Sequence, residues 1–413
     1  MEESYLAEKV NNLSMTGCRR NFTLVGEAVI KDGITTFAMD EKSGKANSDW
    51  IYNRLNLAVD CGEKCGMVYA EAMGGYGSER DNVIYVHGKD ENGRDDFQER
   101  FTIAWEDRFD KETLKEIGDN CFYEAGFEID KDGKVVFEHF LSEYDLIKYV
   151  RANLKNGDKI KVRGELEYQE YQNRVTSKKK IKSIYLVPDA EKEDFQASFL
   201  QTILLQKDNA GKLDKDTNSL PVQARVIEYF NNDVNGERVK GYYTLPVSFE
   251  YRMNTDKPEL IKKIKETLFK VKRDVTKATF EGLFVEGGAV VETKLEDLPD
   301  DIQQYVSLNI MTEDEAIKKC AGNGNKIKKM ILTKPYIRRV ESEDGKGVTP
   351  VLMVEERAYK DEDMVPWFIT AYKAEQENDD DGDDDYEEEN DESVKMDDLD
   401  EDEELMNMLN QLD

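Results

Sequence analysis

The sequence predicts a mainly β chain of the α+β class: two Greek-key β-barrels in tandem with helical insertions, then a disordered acidic C-terminal tail. Three observations predict it. Short stretches rich in β-branched and aromatic residues, bounded by Gly, Asp or Asn, recur through the body of the chain. A unit of amphipathic helix, basic turn, strand with a mid-strand glycine and lysine-rich strand occurs twice. Acidic low complexity sets in near Glu375.

Length and composition bound the rest. At 413 residues, with 39% hydrophobic and 36% charged side chains, the chain can bury a real core in two or three domains. Lys plus Arg is 58 against 89 Asp plus Glu, a net charge of −31. From Glu375 to Asp413 there are 21 acids and one base, Lys395, so the tail alone carries −20 and the body only −11. Room therefore remains for basic patches. No window of 18 apolar residues exists to span a bilayer. The first residues, MEESYLAEKV, lack the basic and apolar regions of a secretion signal, so a cytoplasmic location is expected. Five cysteines argue for reduced thiols, and two histidines, His87 and His139, argue against a histidine-based site.

The elements follow in order. Residues 21–31 (NFTLVGEAVIK), 54–60 (RLNLAVD), 67–72 and 83–87 read as strands, either 21–31 or 83–87 being the first of its barrel. Ser142 to Asp145 forms a capping box, behind which Leu146, Ile147, Val150 and Leu154 make one helical stripe. Residues 159–168, KIKVRGELEY, alternate: Ile160, Val162, Leu166 and Tyr168 face a core, and Lys159, Lys161 and Arg163 face outward. Lysine-rich VTSKKKIKSIYLV follows, to Val187. The second half repeats this plan. Thr255, Asp256 and Pro258 start a helix carrying Leu260, Ile261, Ile264 and Leu268 at the same offsets. ATFEGLFVEG at 278–287 and KIKKMILTKPYIRRV to Val340 are its strands. The turn at Val187-Pro188-Asp189-Ala190 separates an N-terminal domain, 1–188, from a second, 189–372, with the tail at 373–413.

Three strands, a helix and two strands is the order of the OB-fold. Residues 154–166, LKNGDKIKVRGEL, resemble the "GD-x-V-x-V-x-G-x-L" stretch that opens the fourth strand of bacterial single-stranded-DNA-binding proteins. FTLVGEAVI at 22–30 and RLNLAVD at 54–60 are similar to earlier strands of that family, and 168–187 to the hairpin whose tip closes on DNA. Duplicated and acid-tailed, the chain looks like the tandem-OB single-strand-binding proteins of bacteriophages, which implies host cytoplasm as its location. The resemblance implies sequence-independent binding and protection of single-stranded DNA in replication and recombination, with the tail recruiting partner proteins. The chain departs from the bacterial family in its length, in the insertion at 88–140 and in a tail that ends Met-Leu-Asn-Gln-Leu-Asp.

Such binding needs cations for phosphates and flat side chains for bases. Residues 148–185 hold 11 bases and 4 acids, 257–279 hold 8 and 3, and 318–339 hold 8 bases and no acid. Candidate phosphate contacts are Lys159, Lys161, Arg163, Arg174, Lys178, Lys180, Lys272, Arg273, Lys328, Lys329, Lys334 and Arg338. Trp50, Tyr52 and Arg54 alternate toward one side of a strand. Tyr168 and Tyr171 flank the hairpin tip, Tyr336 sits between Lys334 and Arg338, and Tyr76 lies in a Gly-rich loop that a ligand could approach. The competing reading of each aromatic is a core or cross-strand partner.

Chemistry beyond binding is not legible. Cys61-Gly-Glu-Lys-Cys65 is a single C-x₃-C, and with Cys18, Cys121 and the histidines it makes a poor zinc set, so no metal and no cofactor are expected. Residues 321–326 resemble a phosphate loop without its Lys-Ser/Thr. No nucleophile–base pair stands out, and the expectation is a non-enzyme. In the tail Leu405, Met408, Leu409 and Leu412 fall at offsets of a short amphipathic helix, a candidate partner-binding segment; the acids before it can compete with DNA for basic grooves. The alternative, from another class, is a β-rich virion scaffold or assembly protein with an acidic chaperone tail.

Overall fold

Residues 159–171 show why the chain is mostly strand. Ile160, Val162, Leu166 and Tyr168 are buried at every second position while Arg163 and Glu167 are exposed between them, the period of a pleated strand with one face inward. The computed structural model describes residues 13–30, 36–44, 47–89, 95–110, 123–171, 174–234, 237–288, 326–341 and 348–364, with Glu112, Leu114 and Ile117. The first half contributes β1 (Arg20–Val29), β2 (Phe37–Lys42), β3 (Trp50–Asp60), β4 (Met67–Gly77) and β5 (Val83–Lys89). It continues with β6 (Asp95–Ala104), β7 (Tyr123–Ile129), β8 (Val135–Phe140), helix α1 (Glu143–Asn153), β9 (Lys159–Tyr171) and β10 (Arg174–Leu186). The second half holds β11 (Gln196–Leu205), β12 (Ser219–Val234), β13 (Glu237–Arg252), α2 (Pro258–Ile264), β14 (Val275–Gly288) and β15 (Lys326–Pro335). Last come β16 (Ile337–Glu341), β17 (Val348–Leu352) and β18 (Val354–Tyr359).

Two circuits of strand pairing organise these elements. In the first, β1 pairs β3, β3 pairs β4, β4 pairs β10, β10 pairs β9 and β9 returns to β1. In the second, β11, β12, β13, β15 and β14 pair in the same cyclic order. Only the third-to-fifth contact is parallel in each, at Lys180↔Glu71 and at Glu250↔Ile331. The mid-strand glycines mark equivalent points. A Cβ on Gly164 would lie 1.8 Å from the Lys180 carbonyl oxygen, and one on Gly282 2.1 Å from Phe199. Beside each glycine the partner strand bulges, at Lys182 and at Thr333. A bulge and a glycine at matching places make the sharp bend by which a five-stranded sheet returns on itself.

The halves are joined through their opening strands. β1 and β11 run antiparallel with Phe22 opposite Phe199, and these are the residues that face Gly164 and Gly282. Equivalent residues therefore meet at the centre of the seam, the signature of an internal pseudo-two-fold. One hydrophobic cluster runs through both circuits, from Leu55, Leu146 and Ile160 to Phe249, Phe280 and Phe284. Buried polar contacts lock the seam. Lys179 of β10 pairs with Glu286 of β14, their side chains 3% and 9% exposed. Glu228 of β12 accepts from the Tyr168 amide at 2.9 Å and pairs with Arg20 at 3.1 Å.

The remaining strands decorate this frame. β5 and β6 make a separate ribbon, so the 83–87 segment is not the opening strand of a circuit and β1 is. β7 and β8 extend the sheet beyond β10, and β18 extends it beyond β14. Ser142 caps α1, its hydroxyl accepting from the Tyr144 amide at 3.1 Å; Asp145, expected to close a capping box, pairs instead with Arg108 at 2.7 Å. The second helix is shorter than the repeat of offsets predicts, ends in a wide π turn (Lys265–Phe269), and leaves Leu260 exposed. The tail, with Leu405, Met408, Leu409 and Leu412, lies outside the described residues. Among the described residues no helix is long and apolar enough to cross a membrane.

Candidate functional site

The hairpin of β3 and β4 separates two faces. Leu55, Leu57, Ala70 and Ala72 are buried on the inner one. Trp50, Tyr52 and Arg54 alternate on the outer one, opposite Gly77, Gly75 and Met73, and all three are half-buried. The alternation predicted for them is what the register places. β10 adds Lys178 and Lys180 to this face through the Lys180↔Glu71 pair. Asn56, Tyr69 and Met73 share the face and were not singled out from sequence; extending the alternation of Trp50 by one more step would have reached Asn56.

Several predicted contacts are already taken. Glu71 binds both Lys178, at 3.8 Å, and Lys180. Burial works against the Lys180 charge, but Glu71, by its charge and hydrogen bond, together with Glu167 and Glu143, holds the ammonium above its ordinary range. Lys182, in the bulge, is raised in the same way by Tyr123 and Glu143, against its own burial. The second half repeats the arrangement: Lys329, equivalent to Lys178, pairs with Glu250 at 2.7 Å, and Lys334 pairs with Glu281 at 3.0 Å. Lys159 donates to the Ala190 carbonyl at 2.7 Å. Lys161 and Arg163 lie on the outer face of β9, where burial and then Arg163 lower the Lys161 ammonium, and the Arg163 guanidinium sits 5.8 Å from the Tyr185 ring centre.

Two aromatics are corrected. Tyr168 is 3% exposed, its hydroxyl donating to Gln201 at 3.2 Å. It sits at the core parity of β9, and the seam between the halves covers it, so it meets no ligand. Tyr76 lies in strand β4, not in a loop, on the face opposite Trp50; it stacks on Trp105 at 5.4 Å and meets Tyr144 edge-on. The glycines beside it serve packing rather than ligand approach: a Cβ on Gly75 would strike the Ile51 carbonyl, and one on Gly74 would strike the start of α1.

The other predicted residues are dispersed. Tyr171 and Arg174 form the last register pair of the β9–β10 hairpin, and their side chains lie outside the described residues. Lys272 and Arg273 are exposed in the turn before β14. Lys328 is exposed on β15, Arg338 on β16, and Tyr336 between them is half-buried. Face sharing is thus established for Trp50, Tyr52, Arg54, Lys178 and Lys180 but not for the second-half cations. Cys61 and Cys65 are buried free thiols; burial, then Cys65, push the Cys61 thiol far up, and Cys65 accepts from the Ala197 amide at 3.3 Å. Cys121 lies outside the described residues, and among those described no group of three or more His, Cys, Asp or Glu could hold a metal ion.

Comparison with known proteins adds the following. The family model YorF matches residues 87–284, less than half of the chain. No curated protein matches. Among solved structures, the chain is similar to the single-stranded DNA binding protein from Thermus aquaticus. A deletion mutant is 13% identical with a TM-score of 0.28, over 66% of this chain and 89% of that one. The wild type is 11% identical with a TM-score of 0.28, over 65% and 86%. TM-scores of this size leave the fold to be read from the strand pairings.

Proposed function

We propose that the chain binds single-stranded DNA without reading its sequence, and that each pairing circuit is an OB-fold barrel. The observation that carries the reading is the outer face of β3 and β4, where Trp50 and Tyr52 alternate with Arg54 and which β10 extends, farther along the hairpin, with Lys178 and Lys180. Rings give bases a stacking surface and cations track phosphates, a combination indifferent to sequence. The order of the circuits, with a helix between their third and fourth strands, supports the OB assignment. Coating of unwound template in replication and recombination, lowering of affinity by the acidic tail, and recruitment of partner proteins by Leu405, Met408, Leu409 and Leu412 belong to the same reading. It is a reading of a binder, not an enzyme.

Titration with oligo-dT tests it. Trp50 fluorescence is quenched on binding, and Trp50→Ala and Tyr52→Ala each weaken affinity by about 1–3 kcal/mol. A labelled single strand stays intact with Mg²⁺. Affinity unchanged by both substitutions would falsify the assignment of this face.

A further inference from the structure

The start of the helix differs between the two halves. In the first, Trp105 and Arg108 cover it: Trp105 packs on Tyr144 at 5.9 Å, and Arg108 pairs with Asp145. Five side chains of α1 are buried, whereas none of α2 is. Instead, α2 borders an open groove of about 760 Å³, whose wall includes Leu213, Pro258 and Ile261 and whose rim includes Lys215, Lys262 and Lys265. Leu260, on the same helix, is exposed. Asp256 and Glu266 are the carboxylates of the lining, and Asp256 is engaged by the Asn218 amide at 3.1 Å.

We infer that the groove along α2 is the docking site of this chain's own C-terminal segment, residues 396–413. Charge points to that occupant. The groove lining carries Lys215, Lys262 and Lys265 against Asp256 and Glu266, and Asp256 is already engaged by Asn218, while the tail from Glu375 holds 21 acids and one base. Shape points the same way: Leu405, Met408, Leu409 and Leu412 would line one face of a helix, the form in which a short segment fills an apolar groove. Chain length allows it: Met364, the last described residue, is packed in a buried cluster, and 40 residues lie between it and Leu405, a tether whose upper limit is roughly 130 Å. Tethering makes the contact intramolecular, so modest affinity is enough to keep it occupied. The inference takes the tail as a ligand-presenting segment from the reading above and adds where it rests when no partner holds it.

The test uses the full chain with a benzophenone amino acid in place of Met408. Irradiation is expected to give an intrachain cross-link to residues 211–218 or 256–266. Lys215→Glu with Lys262→Glu, both exposed positions, lowers its yield about tenfold while the urea midpoint stays unchanged. Cross-links to the β3–β4 face, or between isotope-labelled and unlabelled copies, overturn the inference. So does a yield no greater than that of a chain with residues 405–412 scrambled. Excess oligo-dT separates this from the DNA reading: if it blocks the cross-link while binding at α2, the groove belongs to nucleic acid and the tail assignment fails. A chain that binds no DNA yet cross-links at α2 keeps the inference and loses the function.

Discussion

Replacing Glu286 by alanine tests how the two halves are held. Its carboxylate meets the Lys179 ammonium at the seam, with side chains 9% and 3% exposed, and Lys179 also lies 4.5 Å over the Phe284 ring. Neither charge can be rehydrated without opening the seam. Removing Glu286 takes the carboxylate away from a buried ammonium, which costs about 3–5 kcal/mol. With a urea m-value of about 3 kcal/mol/M, the unfolding midpoint should fall by about 1–1.7 M. Replacing both, as Lys179→Met with Glu286→Leu, removes the stranded charge and should return stability to within about 1 kcal/mol of the parent. Circular dichroism and tryptophan fluorescence would follow the transition, and because one core runs through both circuits the two probes should coincide. A midpoint for Glu286→Ala within about 0.3 M of the parent would refute the idea that this pair is sealed from water.

Three further outcomes follow from the same contacts. Burial raises the Glu143 carboxyl, with Lys182 and Lys180 pulling it back; the folded state then holds the proton more tightly, so stability falls as pH rises from the ordinary carboxylate range through the raised value. Glu143→Gln should therefore melt higher than the parent at pH 7, with the gain gone below about pH 4; a gain that persists there would contradict the burial argument. Gly282→Ala puts a methyl 2.1 Å from the Phe199 ring and 2.6 Å from the Ile331 carbonyl oxygen, and should cost about 1–3 kcal/mol in urea titrations. Glu250→Gln with Glu281→Gln frees Lys329 and Lys334, and should steepen the log–log salt dependence of oligo-dT binding by about 0.7 per lysine that reaches a phosphate.

Local signals were legible and non-local ones were not. The alternation of 159–168 placed the core parity of β9 correctly, and that same parity already argued against Tyr168 as a base contact. The repeat of helix, glycine strand and lysine strand foretold the second circuit, because each piece is contiguous in sequence. The Gly74–Gly77 run was misread as a loop because its glycines answer to β3 and α1, which approach from other parts of the chain. The pairing of Lys178 and Lys180 with Glu71 spans more than a hundred residues, so a block that counts as basic along the chain is partly neutralised in space. The strands of the insertion, β6 to β8, carried no pattern that separated them from loops.

The seam between β1 and β11 bears on assembly. Joining two like domains through their first strands is a task that mass action governs when the domains are separate molecules, and dilution then pulls them apart. Here the chain itself supplies the second copy, so the pairing of Phe22 with Phe199 persists at any concentration. Whatever the outer faces bind, they meet it as a fixed duo whose spacing is written into one polypeptide.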